Sequence, residues 1–158
     1  MSHSADRRPR LAITLGDPAG IGSEIITKLC AKHRTSLDTD LLVVGSPSCM
    51  REAAEAWTNL PINVLDENTL DTNPDAINPD AINIVAIDEP QNPITPGVLS
   101  ADAGRLAYLA IEKAVELAMR GDVDAIVTAP INKEALSLAG YRYPGHTEIL
   151  AKLSGSAD

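Results

Sequence analysis

Apolar positions along the chain follow two alternating rhythms. Short runs rich in Val and Ile, "LAITLG" (11–16), "DLLVVG" (40–45), "INVLD" (62–66) and "INIVAID" (82–88), read as strands. Helical patterns lie between them, over about 23–33 after a glycine-rich turn and through "MREAAEAW" after the second strand. A long helix is expected between a Ser100 N-cap and a Gly121 C-cap, because Ala103, Leu106, Ala107, Ala110, Ile111, Ala114 and Leu117 recur on one face. That stripe is largely alanine, so the helix can approach a sheet closely. "DAIVTAP" (124–130) is apolar on successive positions and predicts a strand buried on both faces of a parallel sheet. A short helix from Asn132 to about Ala139, closed by Gly140, and a last one from Thr147 to Gly155 complete the series. The alternation predicts an α/β fold, an open and mostly parallel sheet flanked by helices, with ligands at the strand C-terminal ends.

Two segments interrupt the rhythm. "NPDAI" stands twice in tandem, at 73–77 and 78–82, and its Pro and Asn suit a loop insertion rather than a central strand. "PQNPITPGV" (90–98) is a second proline-rich loop.

Composition narrows the class. The chain has 158 residues, enough for one sizeable core, and is 44% hydrophobic and 22% charged, as in a globular protein. It contains no Phe, one Trp and three Tyr, so the core must be aliphatic and no aromatic platform exists for stacking bases. The formal charge is -9, and only the N-terminal "RRPR" concentrates cations, which argues against nucleic acid as a partner. An anionic ligand would need a focused local site. Cys30 and Cys49 fall in helical segments and form no disulfide framework, which fits a reducing compartment. Residues 1–10 read as a polar tail without the apolar run of a signal peptide, and no stretch matches a membrane span. Cytoplasm is the expected location.

Three stretches carry candidate chemistry. "LGDPAGIGSE" joins a strand to a helix with Gly16, Gly20 and Gly22. Glycines there permit φ > 0 and close approach to a ligand, and the helix N-terminus offers N–H groups to an anion. The spacing is neither a dinucleotide fingerprint nor a P-loop, and Asp17 would repel an adjacent phosphate; a purely structural turn is the other reading. "TAPINKEAL" follows a buried strand, with Asn132 as helix cap and Lys133 in the first turn, where the helix dipole disfavours a cation. Lys133 either holds an acidic substrate or is a solvated surface side chain. In "GHTEIL", Thr147 is expected as N-cap and His146 just outside the helix, facing the mouth beyond the strands. A histidine hydrogen-bonded within a loop is its alternative. The histidines His3, His33 and His146 show no metal-ligand spacing.

Together, "ITLGDPAGIGSE", "PGVLSADAG" and "DAIVTAPINKEAL…G…YPGHTEILA" resemble the 4-hydroxythreonine-4-phosphate dehydrogenases of pyridoxal phosphate biosynthesis. The likeness runs in order from about residue 11 to 155, and only about 60 to 92 lacks a signature. Ser23 departs from a usual proline, and family members are about twice as long, so 11–158 is expected to be a partial α/β dehydrogenase region lacking the C-terminal half. The resemblance implies a fold like that of isocitrate and isopropylmalate dehydrogenases. It implies NAD(P)-dependent, metal-assisted oxidation and decarboxylation of 4-phosphooxy-L-threonine to 3-amino-2-oxopropyl phosphate. A homodimer is implied, with the site in a cleft between two domains. His146 and Thr147 are implied to contact substrate, and Asp17, Gly20, Gly22 and Lys133 to line the cleft. The ligands of the divalent cation (zinc, magnesium or cobalt) are expected outside this chain, and most contacts to NAD or NADP with them. Alternatives are a dehydrogenase for threonate or erythronate 4-phosphate, or a catalytically silent protein that binds a ligand or a partner.

Overall fold

The computed structural model describes residues 7–33, 36–70 and 73–156. His3 lies outside them. The chain runs β1 (Arg10–Thr14), α1 (Gly22–His33), β2 (Asp40–Gly45), α2 (Pro47–Trp57), β3 (Ile62–Leu65), β4 (Ile82–Ala86), α3 (Ala101–Arg120), β5 (Ala125–Thr128), α4 (Lys133–Leu138) and α5 (His146–Ser154). The five strands form one sheet in the order β3-β4-β2-β1-β5, and every neighbouring pair is parallel. The α/β fold read from the chain is therefore the one observed. Among the described residues, no helix is long and apolar enough to cross a membrane.

Alternation along the strands divides the core into two layers. Ile13, Val43 and Ile84 face Ile26 and Cys30 of α1 and Met50 of α2. Ala12, Leu42, Val44 and Val85 face the small side chains Ala110 and Ala114 of α3, together with Leu117. Strands buried on both sides need this continuous apolar content. The long helix begins and ends as its sequence predicts. Ser100 Oγ accepts the Ala103 N–H at 3.1 Å, and Gly121 takes the left-handed conformation at φ 83°.

A third cluster joins α3 to the last two helices, through Tyr108, Ile111, Leu136 and Ile149. The ring of Tyr108 stacks on Tyr141 with centroids 3.8 Å apart. At this seam Gly104 lets α4 reach the α3 backbone, because a Cβ on it would overlap the Ala135 carbonyl. Both cysteines are buried and helical, and neither is in a disulfide.

Four expectations change. The strand at 124–130 is not doubly buried: β5 pairs only with β1 among the described residues, and Val127 is 45% exposed. It lies at the sheet edge, where its apolar positions have no cover on the side that α1 and α2 occupy further along. The last helix starts at His146 with Gly145 in the cap position, so Thr147 is inside it and caps nothing. Of the three glycines in the first turn, only Gly16 has positive φ, at 73°. The polar tail also ends earlier than expected. Arg10 is buried as the first residue of β1, and Arg7 pairs with Asp124 at 2.8 Å. The "NPDAI" repeat is a loop as expected, with a 3-10 turn at Pro74–Ala76, and its second copy leads into β4.

Candidate functional site

Parallel strands place the loops after β1 and β5 side by side, since these strands are neighbours. From β1 the chain passes to α1 on one face of the sheet, whereas after β5 it joins the helices packed on α3. Loops that leave adjacent strands toward opposite faces open a crevice at the strand C-terminal ends, the usual ligand position in such sheets.

The two loops meet at Ala129 and Pro130. The Asp17 N–H donates to the Pro130 carbonyl at 2.9 Å. Gly16 is required there because its positive φ and its closeness to that carbonyl exclude a side chain. Gly22 is equally constrained, since a Cβ on it would run into the Leu15 carbonyl and lie 3.1 Å from Ala129 Cβ. Both glycines thus serve the chain's own packing. Gly20 is exposed, its amide donating to the Asp17 carbonyl at 2.9 Å.

His146 reaches the preceding carbonyl, its Nε2 lying 3.1 Å from the Ala129 oxygen. A carbonyl only accepts, so this nitrogen carries the proton. The ring is half-buried at the first position of α5, where the Ala129 carbonyl helps to place it. Asp17 is 7% exposed, and its carboxylate accepts the Ala19 N–H at 2.8 Å. Burial pushes its carboxyl above the ordinary range, and the Ala19 hydrogen bond only partly offsets that.

Lys133 is exposed at the start of α4, whose cap is Asn132 as expected, accepting the Glu134 and Ala135 N–H groups. Its stem runs beside Gly145, where a Cβ would sit 4.0 Å from Lys133 Cε. The fold therefore gathers Asp17, Gly22 and His146 around Ala129 and Pro130 and puts Lys133 beside the residue that precedes His146. Thr147 is exposed, one helical position further on.

A metal ion does not fit this donor set. Among the described residues no three His, Cys, Asp or Glu side chains converge to hold one. The polar atoms nearest the crevice are committed to Ala19 and Ala129. Nor does the turn form a nucleotide cradle, because the space beside Gly16 and Gly22 is filled by the chain itself.

Sequence reasoning missed the strap formed by the loop after β4. Gly97 N–H donates to the Ala19 carbonyl at 2.7 Å, which ties the proline-rich loop onto the first turn. At its other end Glu89 accepts from the Ser46 and Ser48 hydroxyls and the Ser48 N–H at the start of α2. The signal was Glu89 three residues past a strand end, opposite the "SPS" opening of a helix, and only the fold brings the two together.

The family model for pyridoxal phosphate biosynthetic protein PdxA matches residues 37–158. The D-threonate 4-phosphate dehydrogenase of Pectobacterium atrosepticum is 48% identical, over 94% of this chain and 45% of its own length. The 4-hydroxythreonine-4-phosphate dehydrogenase of Beijerinckia indica is 40% identical, over 92% of this chain and 42% of its own. The solved 4-hydroxythreonine-4-phosphate dehydrogenase of Klebsiella pneumoniae superimposes with a TM-score of 0.81 at 39% identity, covering 95% of this chain and 46% of that one. The chain thus spans less than half the length of the relatives it matches.

Proposed function

This chain belongs to the family of pyridoxal phosphate biosynthetic protein PdxA, and we propose that it supplies the N-terminal part of a dehydrogenase for a phosphorylated four-carbon hydroxy acid. The substrate is 4-phosphooxy-L-threonine. Its C3 hydroxyl is oxidised, hydride passes to NAD or NADP, a proton is released, and the β-keto acid loses CO2 to give 3-amino-2-oxopropyl phosphate. The observation that carries this reading is the convergence of His146 and Asp17 on the successive carbonyls of Ala129 and Pro130 at the ends of β1 and β5. His146 and Thr147 contact substrate, and the α5 N-terminus adds N–H donors beside them. The Asp17–Gly22 turn and Lys133 form the adjoining wall, and Lys133 brings a positive charge to a protein of net charge -9. The nicotinamide cofactor and the divalent metal are held by a further α/β region, in a cytoplasmic homodimer.

A second reading differs in substrate. Relatives named D-threonate 4-phosphate dehydrogenase, some of them as putative, range from 49% to 36% identity, and those named 4-hydroxythreonine-4-phosphate dehydrogenase lie within that range at 40%, 39% and 38%. These names support, as the alternative, a substrate with a hydroxyl in place of the amino group.

The test is NADH formation from 4-phosphooxy-L-threonine, D-threonate 4-phosphate and D-erythronate 4-phosphate. It is run on the 158-residue chain and on a chimera that adds the C-terminal half of the Pectobacterium relative. The chimera is expected to be active, and His146→Ala to lower its kcat/KM about tenfold or more, as when one substrate-directed hydrogen bond is removed. The substrate with the highest kcat/KM decides between the two readings. An active chimera that is indifferent to His146→Ala and Thr147→Ala would remove both residues from the site.

A further inference from the structure

The loop between β4 and α3 is exposed along most of its length, yet polar contacts fix it at several points. The Asp102 carboxylate, nearly buried in the first turn of α3, accepts the Gln91 N–H at 2.5 Å and the Asn92 N–H at 2.9 Å. Arg105, one turn on, reaches Asp102 and Asp88 at 2.9 Å and the Glu89 carbonyl at 3.0 Å. The Glu89 side chain crosses to Ser46 and Ser48. Pro90, Pro93 and Pro96 restrict the backbone between these pins, and Ile94 packs against the core layer under α1 and α2. The far end of the loop is the Gly97–Ala19 hydrogen bond. Ala19 in turn hangs from the Asp17 carboxylate, and Asp17 from Pro130.

Hydrogen bonds and the strap backbone between them thus link the N-termini of α2 and α3 to the crevice at β1 and β5. We propose that Asp102 and Arg105 are positioning residues. By holding the 88–98 strap they set where the Asp17–Gly22 turn stands in the crevice. The side-chain hydrogen bonds of both residues go to the strap and to each other, so the strap is their hydrogen-bonded link to that turn. A loop with so little buried surface would otherwise belong to the low-stability end of the molecule. The inference rests on the proposed site only for its consequence in catalysis, because the mechanical link is independent of any substrate.

The first experiment is therefore amide hydrogen exchange on the 158-residue chain. Asp102→Asn keeps the side chain's size and one acceptor but removes the charge. Exchange at Gln91, Asn92, Gly97, Ala19 and Gly20 is expected to rise about tenfold or more, as charge-assisted hydrogen bonds become neutral ones. Val44 and Ile84 in the sheet should not change. Arg105→Lys should restore part of the protection that Arg105→Ala removes. Faster exchange at Gln91 and Asn92 with Ala19 and Gly20 unchanged would overturn the proposal. If Asp102→Asn loosens the sheet as well, the same comparison is made with Ser48→Ala, a milder release of the Glu89 pin. In the active chimera, Asp102→Asn should raise KM for the phosphorylated acid about tenfold with a smaller change in kcat. An unchanged KM despite faster exchange at Ala19 would overturn the catalytic consequence. Failure of the whole substrate panel would strike the functional reading and leave the exchange result standing.

Discussion

β2 and β5 flank β1 in the same parallel arrangement, and both follow an aspartate with a run of small and branched apolar residues. One is sealed and the other is open. Leu42, Val43 and Val44 are fully buried, whereas β5 alternates between exposed and half-exposed positions. The difference lies in what surrounds each strand. β2 has a strand on either side and helices on both faces; β5 has β1 on one side and is covered mainly toward α3. Apolar content therefore reports a strand's capacity to be buried, while its burial depends on what covers it.

The largest expected effect lies at the seam that holds the β5 end to the rest. Gly104→Ala would drive a methyl into the backbone of Ala135, which cannot rotate away, and should destabilise the chain by about 3 kcal/mol. Urea denaturation measures this, and a change under about 1 kcal/mol would show that α4 can shift freely on α3. Next comes the direct contrast between the two strands. Val43→Ala removes fully buried methyls and should cost about 2 kcal/mol, against about 0.5 for Val127→Ala on the open edge. Equal losses would mean that β5 is covered in solution, for example by a second copy. Sedimentation then decides the matter, since Val127→Lys should disperse such an assembly by placing a charge on its edge.

The smallest effect is a pH dependence that differs in sign between the two ends. Hydrogen bonds from Ser46 and Ser48 outweigh burial and hold the Glu89 carboxyl low. At Asp102 burial is likewise outweighed, there by the Asn92 and Gln91 amides and Arg105. Their stabilisation is present above the ordinary values of 4.5 and 3.8 and is lost as pH falls through the depressed folded values. Asp17 is raised by burial, so its contribution favours folding below 3.8 and fades as pH rises through its folded value. Glu89→Gln should thus flatten the acid limb of a urea-midpoint profile, whereas Asp17→Asn should raise the midpoint at neutral pH relative to acid. The same slope change in both variants would contradict this assignment.

Much of this architecture can be read before folding. The bounds of β2, the Ser100 and Gly121 caps and the alanine stripe of α3 follow from local chemistry, because a cap or a periodic face depends on residues within a few positions. The candidate site was legible in its residue types and less so in its geometry. Asp17 and His146 could be named, but not that they would meet the successive carbonyls of Pro130 and Ala129. Thr147 looked like the better helix cap, yet the helix begins one residue earlier, where the His146 ring reaches Ala129.

Local patterning determined the elements, their order and the small-residue faces that allow close packing, since backbone and cap preferences act over short distances. Tertiary structure alone decided the rest. It left β5 as an edge, gave Gly16 and Gly22 to the chain's own packing, and brought Glu89 across to Ser46 and Ser48. Those outcomes depend on which distant segments share a neighbourhood, and no window of sequence contains that information.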